Sequence, residues 1–258
     1  MDEYALISII MPSYNCAYFI GETIDSILAQ TYQNWELLIT DDCSTDNSKD
    51  IINEYTQQDP RIKLFTLSEN SGAGIARNNS IKEAKGRFIA FCDSDDRWMP
   101  EKLEKQISFM ERENISFSST SYITCDEENR ITGIVITPKI ITFKDMCSDD
   151  RMGFLTCIYD ANKLGKIYLP ALRKRQDWAL KIKILQKCKI AKGLVETLGI
   201  YRLRSNSLSN NKKALIKYNI AVYREVLEYS NLRAWLKFIF DFMPHYLIKR
   251  IRTKIANG

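Results

Sequence analysis

The sequence predicts an α/β fold with a mainly parallel central sheet flanked by helices, followed by a C-terminal helical tail. Short apolar runs alternate with segments of helical period through residue 113, and parallel strands need such crossover connections. The chain has 258 residues, 45% of them hydrophobic and 27% charged, which suits one α/β domain with an appendage. Basic charge is concentrated in the last fifth of the chain, which sets the tail apart.

Four apolar runs predict the first strands: Leu6–Met11, Trp35–Thr40, Ile62–Leu67 and Arg87–Cys92. Helical spacing predicts the helices between and after them: Ile20–Leu28, a helix after Asn47, Ile75–Ala84 and Pro100–Glu113. The later elements are weaker: β-prone pieces at Ser116–Thr124 and Ile131–Thr137, a helix after Asp177, a last strand at Leu194–Leu203 and a polar loop at Ser205–Asn211. We place the catalytic domain in residues 1–210 and the tail in residues 211–258.

Cysteine usage and segment hydropathy limit the class of protein. The seven cysteines form no C-x-x-C pair, and the single histidine, His245, lies far from all of them, so a zinc site is not expected. No run of about 20 uncharged apolar residues predicts a transmembrane helix, and the acidic start is not that of a signal peptide. We therefore expect reduced thiols and a cytoplasmic protein.

The tail carries the net charge of the chain. Residues 212–258 hold ten Lys and Arg against three Asp and Glu, whereas residues 1–211 hold 27 against 29. The apolar, aromatic run from Ala234 to Met243 followed by Lys and Arg residues is typical of a helix on an anionic membrane surface. The alternative is a helical pair that packs Trp235, Phe238 and Phe242 on the catalytic domain, and both can hold. No recognised RNA-binding module is visible, so nucleic acid is not an expected partner.

Polar residues follow three of the predicted strands where each strand ends. Tyr14 follows the first, Asp41-Asp42 the second, and Asp93-Ser94-Asp95-Asp96 the fourth. In open parallel sheets, ligands bind beyond the carboxyl ends of the strands. The three crowded carboxylates after the fourth strand suit a divalent cation as well as they suit a solvated loop, and Asp41-Asp42 suits a helix cap or a base contact.

A glycine-containing segment, Ser71–Asn78, leads into a predicted helix and carries Arg77 in its first turns. An arginine and a helix N-terminus both favour phosphate oxygens. The segment lacks the Gly-Lys-Ser/Thr of a Walker loop and the G-x-G-x-x-G of a dinucleotide fold. A capped helix with a surface arginine is the competing interpretation.

Together these motifs resemble the family 2 inverting nucleotide-sugar glycosyltransferases of the GT-A (Rossmann-like) fold. The resemblance covers residues 5–210. It rests on ISIIMPSYN (7–15), ETIDSILAQTYQNWELLITDDCSTDNS (22–48), NSGAGIARNNSIKEAKGRFIAFCDSDDRWMPEKLEKQ (70–106), RQDW (175–178) and YRLRSNSLS (201–209).

For the donor, the resemblance implies roles by position. Pro12 and Tyr14 are expected to line the base pocket, and Asp42 to hydrogen-bond the base, which favours uracil. Asp93 is expected to face the ribose or the donor sugar, with Arg77 near the donor.

For the chemistry, the resemblance implies that Asp95 holds a Mn²⁺ or Mg²⁺ bridging the diphosphate. Asp177 is expected to be the general base that takes the proton of the acceptor hydroxyl. Direct attack then inverts the anomeric carbon.

Two positions depart from the family pattern. Gln176-Asp177 replaces the usual Glu-Asp, so the help of a second carboxylate is lost. Arg204 stands where many relatives carry a histidine near the last strand. The resemblance therefore directs Arg202 or Arg204 toward the diphosphate and implies weaker metal dependence.

The expected function is transfer of a hexose, glucose or galactose, from a UDP-sugar to a polyprenyl-diphosphate-linked saccharide ending in GlcNAc. The expected pathway is bacterial surface polysaccharide synthesis of the O-antigen or capsule type, at the inner face of the cell membrane. Two alternatives stay open. A sugar-nucleotide nucleotidyltransferase would carry a glycine-rich basic loop where this chain has Pro12–Asn15, and a non-catalytic scaffold would bind the nucleotide sugar without turnover.

Overall fold

The computed structural model describes residues 5–204 and 212–245. Within them, ten strands form one sheet in the order β3-β2-β1-β4-β9-β6-β10-β5, with β7 paired to β6 and β8 paired to β10. The strands are β1 Ile7–Ser13, β2 Trp35–Asp41, β3 Ile62–Thr66, β4 Phe88–Phe91, β5 Arg97–Trp98, β6 Phe117–Cys125, β7 Ile131–Val135, β8 Ile140–Thr142, β9 Ile158–Asp160 and β10 Ile190–Arg202.

The first four strands run parallel, so their carboxyl ends share one edge of the sheet. Every residue of β1 and β2 is buried, because both faces of these strands are covered by helices. Ser13 at the end of β1 pairs with Asp41, which in turn pairs with Thr66. The predicted convergence of polar residues at this edge is therefore confirmed for the first, second and fourth strands.

The second half of the sheet brings further loops to the same edge. The short strand β9 is antiparallel to both β4 and β6, so the loop before β9 ends beside the carboxyl end of β4. Strand β10 is parallel to β6. The sequence did not predict β5, β8 or β9, because two or three residues are too few to show a period.

The helices cover both faces of the sheet. They are α1 Ile20–Leu28, α2 Ser48–Gln58, α3 Ala73–Glu83, α4 Lys102–Arg112, α5 Phe143–Ser148, α6 Ala161–Leu164, α7 Gln176–Cys188, α8 Lys212–Glu225 and α9 Asn231–Lys237, the last continuing as one π-helical turn, Phe238–Phe242. Alternate residues of β1 divide between two cores: Ile9 packs with α1, α2 and α4, and Ile10 with α3 and α7. The α/β sandwich predicted from the alternating pattern is confirmed.

The C-terminal helices join the core on the face of α7. Tyr223, Phe238 and Phe242 are buried there, and Trp178 contacts both Tyr223 and Phe242 with ring centroids 5.6 Å apart. Trp235, by contrast, is 42% exposed. Among the described helices, none combines the length and the apolar character needed to cross a membrane. The predicted loop at 205–211 and the basic segment 246–258 lie outside the described residues.

Candidate active site

A cavity of about 1110 Å³ opens at the carboxyl edge of the sheet. Small-molecule pockets commonly measure about 300–1,000 Å³, so this cavity has room for two substrates. One end is lined by residues that follow β1, β2 and β4, and the other by the loop before β9, the start of α7 and the C-terminal helices. Among its polar lining residues are Tyr14, Asp42, Arg77, Asp93, Asp96, Asp150, Arg175, Asp177, Lys181 and His245.

Tyr14 and Asp42 lie together at the first end of the cavity. Tyr14 is half exposed, as a ring-stacking platform needs to be. The buried Asp42 carboxylate accepts hydrogen bonds from the Ser71 and Gly72 N–H groups at 2.7 and 2.8 Å. Gly72 has φ +92°, which favours glycine and allows this approach. Asp42 therefore ties the loop before α3 to the end of β2.

Pro12 is not brought to the cavity. It lies within β1, buried and paired in register with Thr40 of β2. Its fixed φ suits the extended strand, and only the following residues reach the edge. We assign Pro12 a structural role and leave it out of the base pocket.

Two carboxylates of the acidic cluster after β4, Asp93 and Asp96, line the first end of the cavity, and Asp95 does not. Asp93 forms an ion pair with Arg77, which is itself nearly buried, and Asp95 lies 3.3 Å from the Arg204 guanidinium. Burial raises the pKa of Asp95, the Asp93 carboxylate raises it further, and Arg204 lowers it. Burial, Asp95 and Asp93 raise the pKa of Asp96 well above its usual range. Carboxylates that raise one another's pKa in this way repel each other, and a cation bound between them would relieve that repulsion.

The donor set fits a hard divalent cation that is completed by substrate. Within residues 5–204 and 212–245, no three His, Cys, Asp or Glu side chains converge on one point. Asp93 and Asp95 together supply two carboxylates, 31% and 23% exposed. Mg²⁺ is commonly held by one or two carboxylates together with substrate phosphates, so two suffice.

Arg202 departs from the role expected of it. Its side chain is 1% exposed, and its guanidinium binds Glu22 at 2.8 Å, Asn129 at 3.0 Å and the Asp95 carbonyl at 3.0 Å. With these donors used inside the protein, Arg202 shapes the acidic loop instead of meeting a diphosphate. Arg204 keeps a one-third exposed side chain beside Asp95 and stays a donor-site candidate.

Asp177 lies at the start of α7, at the other end of the cavity. Its side chain is 40% exposed. Burial raises its pKa, but Lys181, the Trp178 N–H, Arg175 and Arg77 outweigh this and hold the pKa below its ordinary value. A carboxylate that stays ionised and open to the cavity can accept a proton from a hydroxyl.

The neighbours of Asp177 fix its position. Trp178 is fully buried and donates to the Met146 carbonyl at 2.7 Å, which holds α7 against α5. Gln176 donates to the Leu172 carbonyl, and a Cβ at Gly74 would lie 2.5 Å from the Gln176 side-chain oxygen. The Gln176 amide therefore packs against the N-terminus of α3, where a side chain at position 74 would force it to move.

Several lining residues were not predicted from the sequence. Asp150 and Lys181 form an ion pair at 2.7 Å beside Asp177, and Lys181 is 1% exposed. The spacing of Lys181, four residues after Asp177 on a helix, is the one signal that could have identified it. Tyr218 and His245 come from the C-terminal helices, and only the tertiary structure brings them to this cavity.

Comparison with known proteins identifies the family. The sequence profile described as Glycosyl transferase family 2 matches residues 8–165, more than half of the chain. The chain belongs to glycosyltransferase family 2. The matched region spans β1 to α6 and therefore includes the acidic cluster but not Asp177.

Curated relatives cover nearly the whole glycosyltransferase. It is 40% identical over 235 residues to the putative teichuronic acid biosynthesis glycosyltransferase TuaG of Bacillus subtilis, covering 91% of this chain and 93% of TuaG. It is 41% identical over 231 residues to WfgD of Escherichia coli, named UDP-Glc:alpha-D-GlcNAc-diphosphoundecaprenol beta-1,3-glucosyltransferase, covering 88% of each chain. The enzyme class predicted from the motifs is thereby confirmed.

Solved structures confirm the GT-A fold of the glycosyltransferase. The Staphylococcus aureus TarS fragment 1–349 in complex with UDP-GlcNAc matches with a TM-score of 0.70 at 21% identity, covering 88% of this chain and 69% of that one. The mannosyltransferase PcManGT of Pyrobaculum calidifontis, in complex with GDP-Man and Mn²⁺, matches with a TM-score of 0.64 at 15% identity, covering 92% and 70%. At these identities the likeness concerns the fold.

Proposed function

We propose that this glycosyltransferase moves a hexose from a UDP-sugar to a polyprenyl-diphosphate-linked saccharide, with inversion at the anomeric carbon. UDP-glucose is the proposed donor and UDP-galactose the alternative, and a GlcNAc-terminated lipid is the proposed acceptor. The naming of WfgD and of TuaG supports this reaction and a place in surface polysaccharide synthesis.

One observation carries the proposal. The Asp177 carboxylate lines the same cavity as Asp93 and Asp96 of the acidic cluster, and Arg77, which pairs with Asp93, also lowers the pKa of Asp177. Donor and acceptor can therefore meet between them, with a base on the acceptor side and anion-neutralising groups on the donor side. A single-displacement reaction requires both sets of groups around one reaction centre.

In the proposed reaction, Asp177 accepts the proton of the acceptor hydroxyl as its oxygen attacks the anomeric carbon. The bond from that carbon to the diphosphate oxygen breaks, and UDP leaves with the electron pair. An α-linked donor then yields a β-linked product. Because the pKa of Asp177 is lowered, the base is ionised at neutral pH without help from the carboxylate that Gln176 replaces.

On the donor side, Tyr14 and Asp42 are the proposed contacts to the base, and Asp93 to the ribose or sugar. Arg77 and Arg204 are proposed near the diphosphate. Asp95, with Asp93, is the proposed ligand of a Mn²⁺ or Mg²⁺, which when bound would neutralise the charge of the leaving group.

We further propose that the protein works at the cytoplasmic membrane surface through its tail. Five large apolar side chains of α9 and the following π-helical turn are 42–73% exposed: Leu232, Trp235, Leu236, Ile239 and Phe240. The exposed Arg233 lies on the same helix and adds a positive charge, whereas Lys237 is paired with Asp241. An exposed apolar helix face with a nearby cation is typical of a helix lying in an anionic membrane interface.

The reaction is tested by transfer from radiolabelled UDP-glucose and UDP-galactose to a synthetic GlcNAc-α-diphosphate-lipid, with Mn²⁺ or with EDTA. We expect one donor to be used and EDTA to reduce the rate. Asp177→Asn should lower kcat by about 10²–10⁴-fold, because it removes the general base. Calorimetry should show unchanged UDP binding in that variant.

Asp50→Asn is the matched control, since it makes the same chemical change on the exposed surface of α2. UDP binding without transfer to any acceptor would favour the scaffold alternative. Full activity in Asp177→Asn would remove Asp177 as the base while leaving the reaction class intact.

A further inference from the structure

Resting on the proposed function, we propose a second anion site in the cavity. Arg175 is its centre, with Arg173 and His245 beside it, and its ligand is the diphosphate of the lipid-linked acceptor. This site would hold the acceptor by its phosphates while the sugar hydroxyl faces Asp177.

Arg175 has the features of a residue held in place for a ligand. It is the N-cap of α7 and adopts φ +63°, a left-handed conformation that costs a non-glycine residue about 1–3 kcal/mol. Its Nε is buried without a hydrogen-bond partner. Strain and an unsatisfied donor together are expected where binding a ligand offsets them.

The charges of the cavity differ between its two ends. At the donor end, Arg77 and Arg204 each pair with a carboxylate of the acidic cluster. At the acceptor end, Lys181 is neutralised by Asp150. Across residues 5–204 and 212–245, neither Arg173 nor Arg175 forms an ion pair, although both line the cavity. Arg175 acts at longer range on the Asp177 and Asp150 carboxylates. Because neither guanidinium is held in an ion pair, both can bind an anion other than the donor diphosphate.

His245 adds a third group from the tail. Its Nδ1 lies 2.8 Å from the Asp241 carbonyl oxygen, which can only accept, so Nδ1 carries the proton. This leaves Nε2 to interact with a ligand, and a protonated ring would donate from Nε2 to a phosphate oxygen. Asp241 also accepts from Ser148 at 2.8 Å, which ties this part of the tail to the loop that carries Asp150.

The position of Arg175 selects the acceptor as the ligand. It stands two residues before Asp177, so an anion bound there lies beside the base. The arginine fork binds phosphate oxygens in two-point contacts, which suits a diphosphate. In the proposed acceptor, one pyranose ring separates the diphosphate from the reacting hydroxyl, and the two groups can therefore reach Arg175 and Asp177 together.

The test compares two acceptors that differ only in the diphosphate. One is GlcNAc-α-diphosphate-alkyl and the other the phosphate-free GlcNAc-α-O-alkyl with the same chain. We expect Arg175→Gln to lower kcat/KM for the first by about 10–100-fold, the range for losing a charge-assisted hydrogen bond. The loss with the second should be much smaller, because Asp177 stays ionised at neutral pH without Arg175. UDP affinity should stay the same, and Arg175→Lys should recover part of the loss.

Arg112→Gln, on the exposed surface of α4, controls for loss of one positive charge. An equal loss with both acceptors, or weaker UDP binding, would overturn the proposed site. If the wild type transfers to neither acceptor, the proposed function fails separately. In that case pyrophosphate titrated into the UDP-saturated protein still decides the site, because unchanged affinity in Arg175→Gln would refute it.

Discussion

Lys102 is a buried cation that the proposed reaction does not use. Its side chain is fully buried in α4, with Nζ 3.8 Å from the centre of the Trp98 ring and no hydrogen-bond partner. Burial lowers its pKa from 10.5 to about 7. The unfolded chain therefore binds a proton more tightly at this residue than the folded chain does.

We predict that Lys102→Met raises the free energy of unfolding by about 1–3 kcal/mol at pH 7 and below, since it removes an unsatisfied buried donor. Lys102 destabilises the folded state less and less as the pH rises from about 7 to 10.5. The stability gained by Lys102→Met should therefore shrink as the pH is raised through that window. Urea unfolding at pH 6 and pH 9 checks this. Lys105→Met, at an exposed position of the same helix, should show no such pH dependence, and a gain equal at both pH values would contradict the prediction.

The sequence could identify candidate site residues only where their position in a strand or helix determined what surrounds them. Asp42, Asp93 and Asp177 follow strands or begin a helix, and the structure brings all three to one cavity. Arg202 could not be assigned in this way. A guanidinium beside a carboxylate cluster can bind a ligand, or its donors can be used in contacts within the protein. Only the three-dimensional positions of Glu22 and Asn129 decide between these two roles for Arg202.

Helix α7 carries both the candidate base, Asp177, and Lys181, the cation beside it. Lys181 contacts Asp150 at 2.7 Å, the Met152 carbonyl at 2.8 Å and Asp177 at 3.7 Å. The helix thus joins the base to the loop before β9. The sequence pattern predicted this helix, but not the loop opposite it, because that loop has no period.

We predict that Lys181→Met lowers the free energy of unfolding by about 3–5 kcal/mol, because it leaves the Asp150 carboxylate without its buried partner. It should also move the acid limb of kcat to higher pH, since removing a cation raises the pKa of Asp177. Thermal unfolding and a pH–rate profile measure the two effects.

The double variant Lys181→Met with Asp150→Asn separates the effect on the free energy of unfolding from the effect on the acid limb of kcat. Removing the unpaired charge should restore most of the stability. It should move the acid limb only part of the way back, because Asp177 loses the repulsion of Asp150 but still lacks its cation. A double variant that is as unstable as the single one would argue against the ion pair as the stabilising contact.

The whole molecule places the tail against the catalytic end of the sheet. Tyr223 donates to the Cys147 carbonyl at 2.8 Å, and Asp241 accepts from Ser148. Both contacts hold α5, directly before the loop that carries Asp150. The same helices that present an apolar face to solvent therefore also build one wall of the cavity.

We predict that the pair Leu232→Asp and Phe240→Asp abolishes binding to vesicles containing anionic lipid, because both side chains are more than 70% exposed on the apolar face. The thermal midpoint should be unchanged. Vesicle flotation with and without 0.5 M salt measures the binding. Val195→Asp, at another exposed apolar position, serves as control, and equal flotation of all variants would exclude this face.

Alternation of apolar runs and helical periods was enough to establish the α/β class, the parallel order of the first strands and the edge where the polar residues meet. These properties are local, because the burial of each strand follows from its own sequence and its direction follows from the helical connection to the next strand. The cavity's second end was decided only by tertiary structure. Arg175 and Lys181 line it from the first turns of α7 and His245 from the tail, and the placement of His245 near residues so distant in sequence leaves no periodic trace.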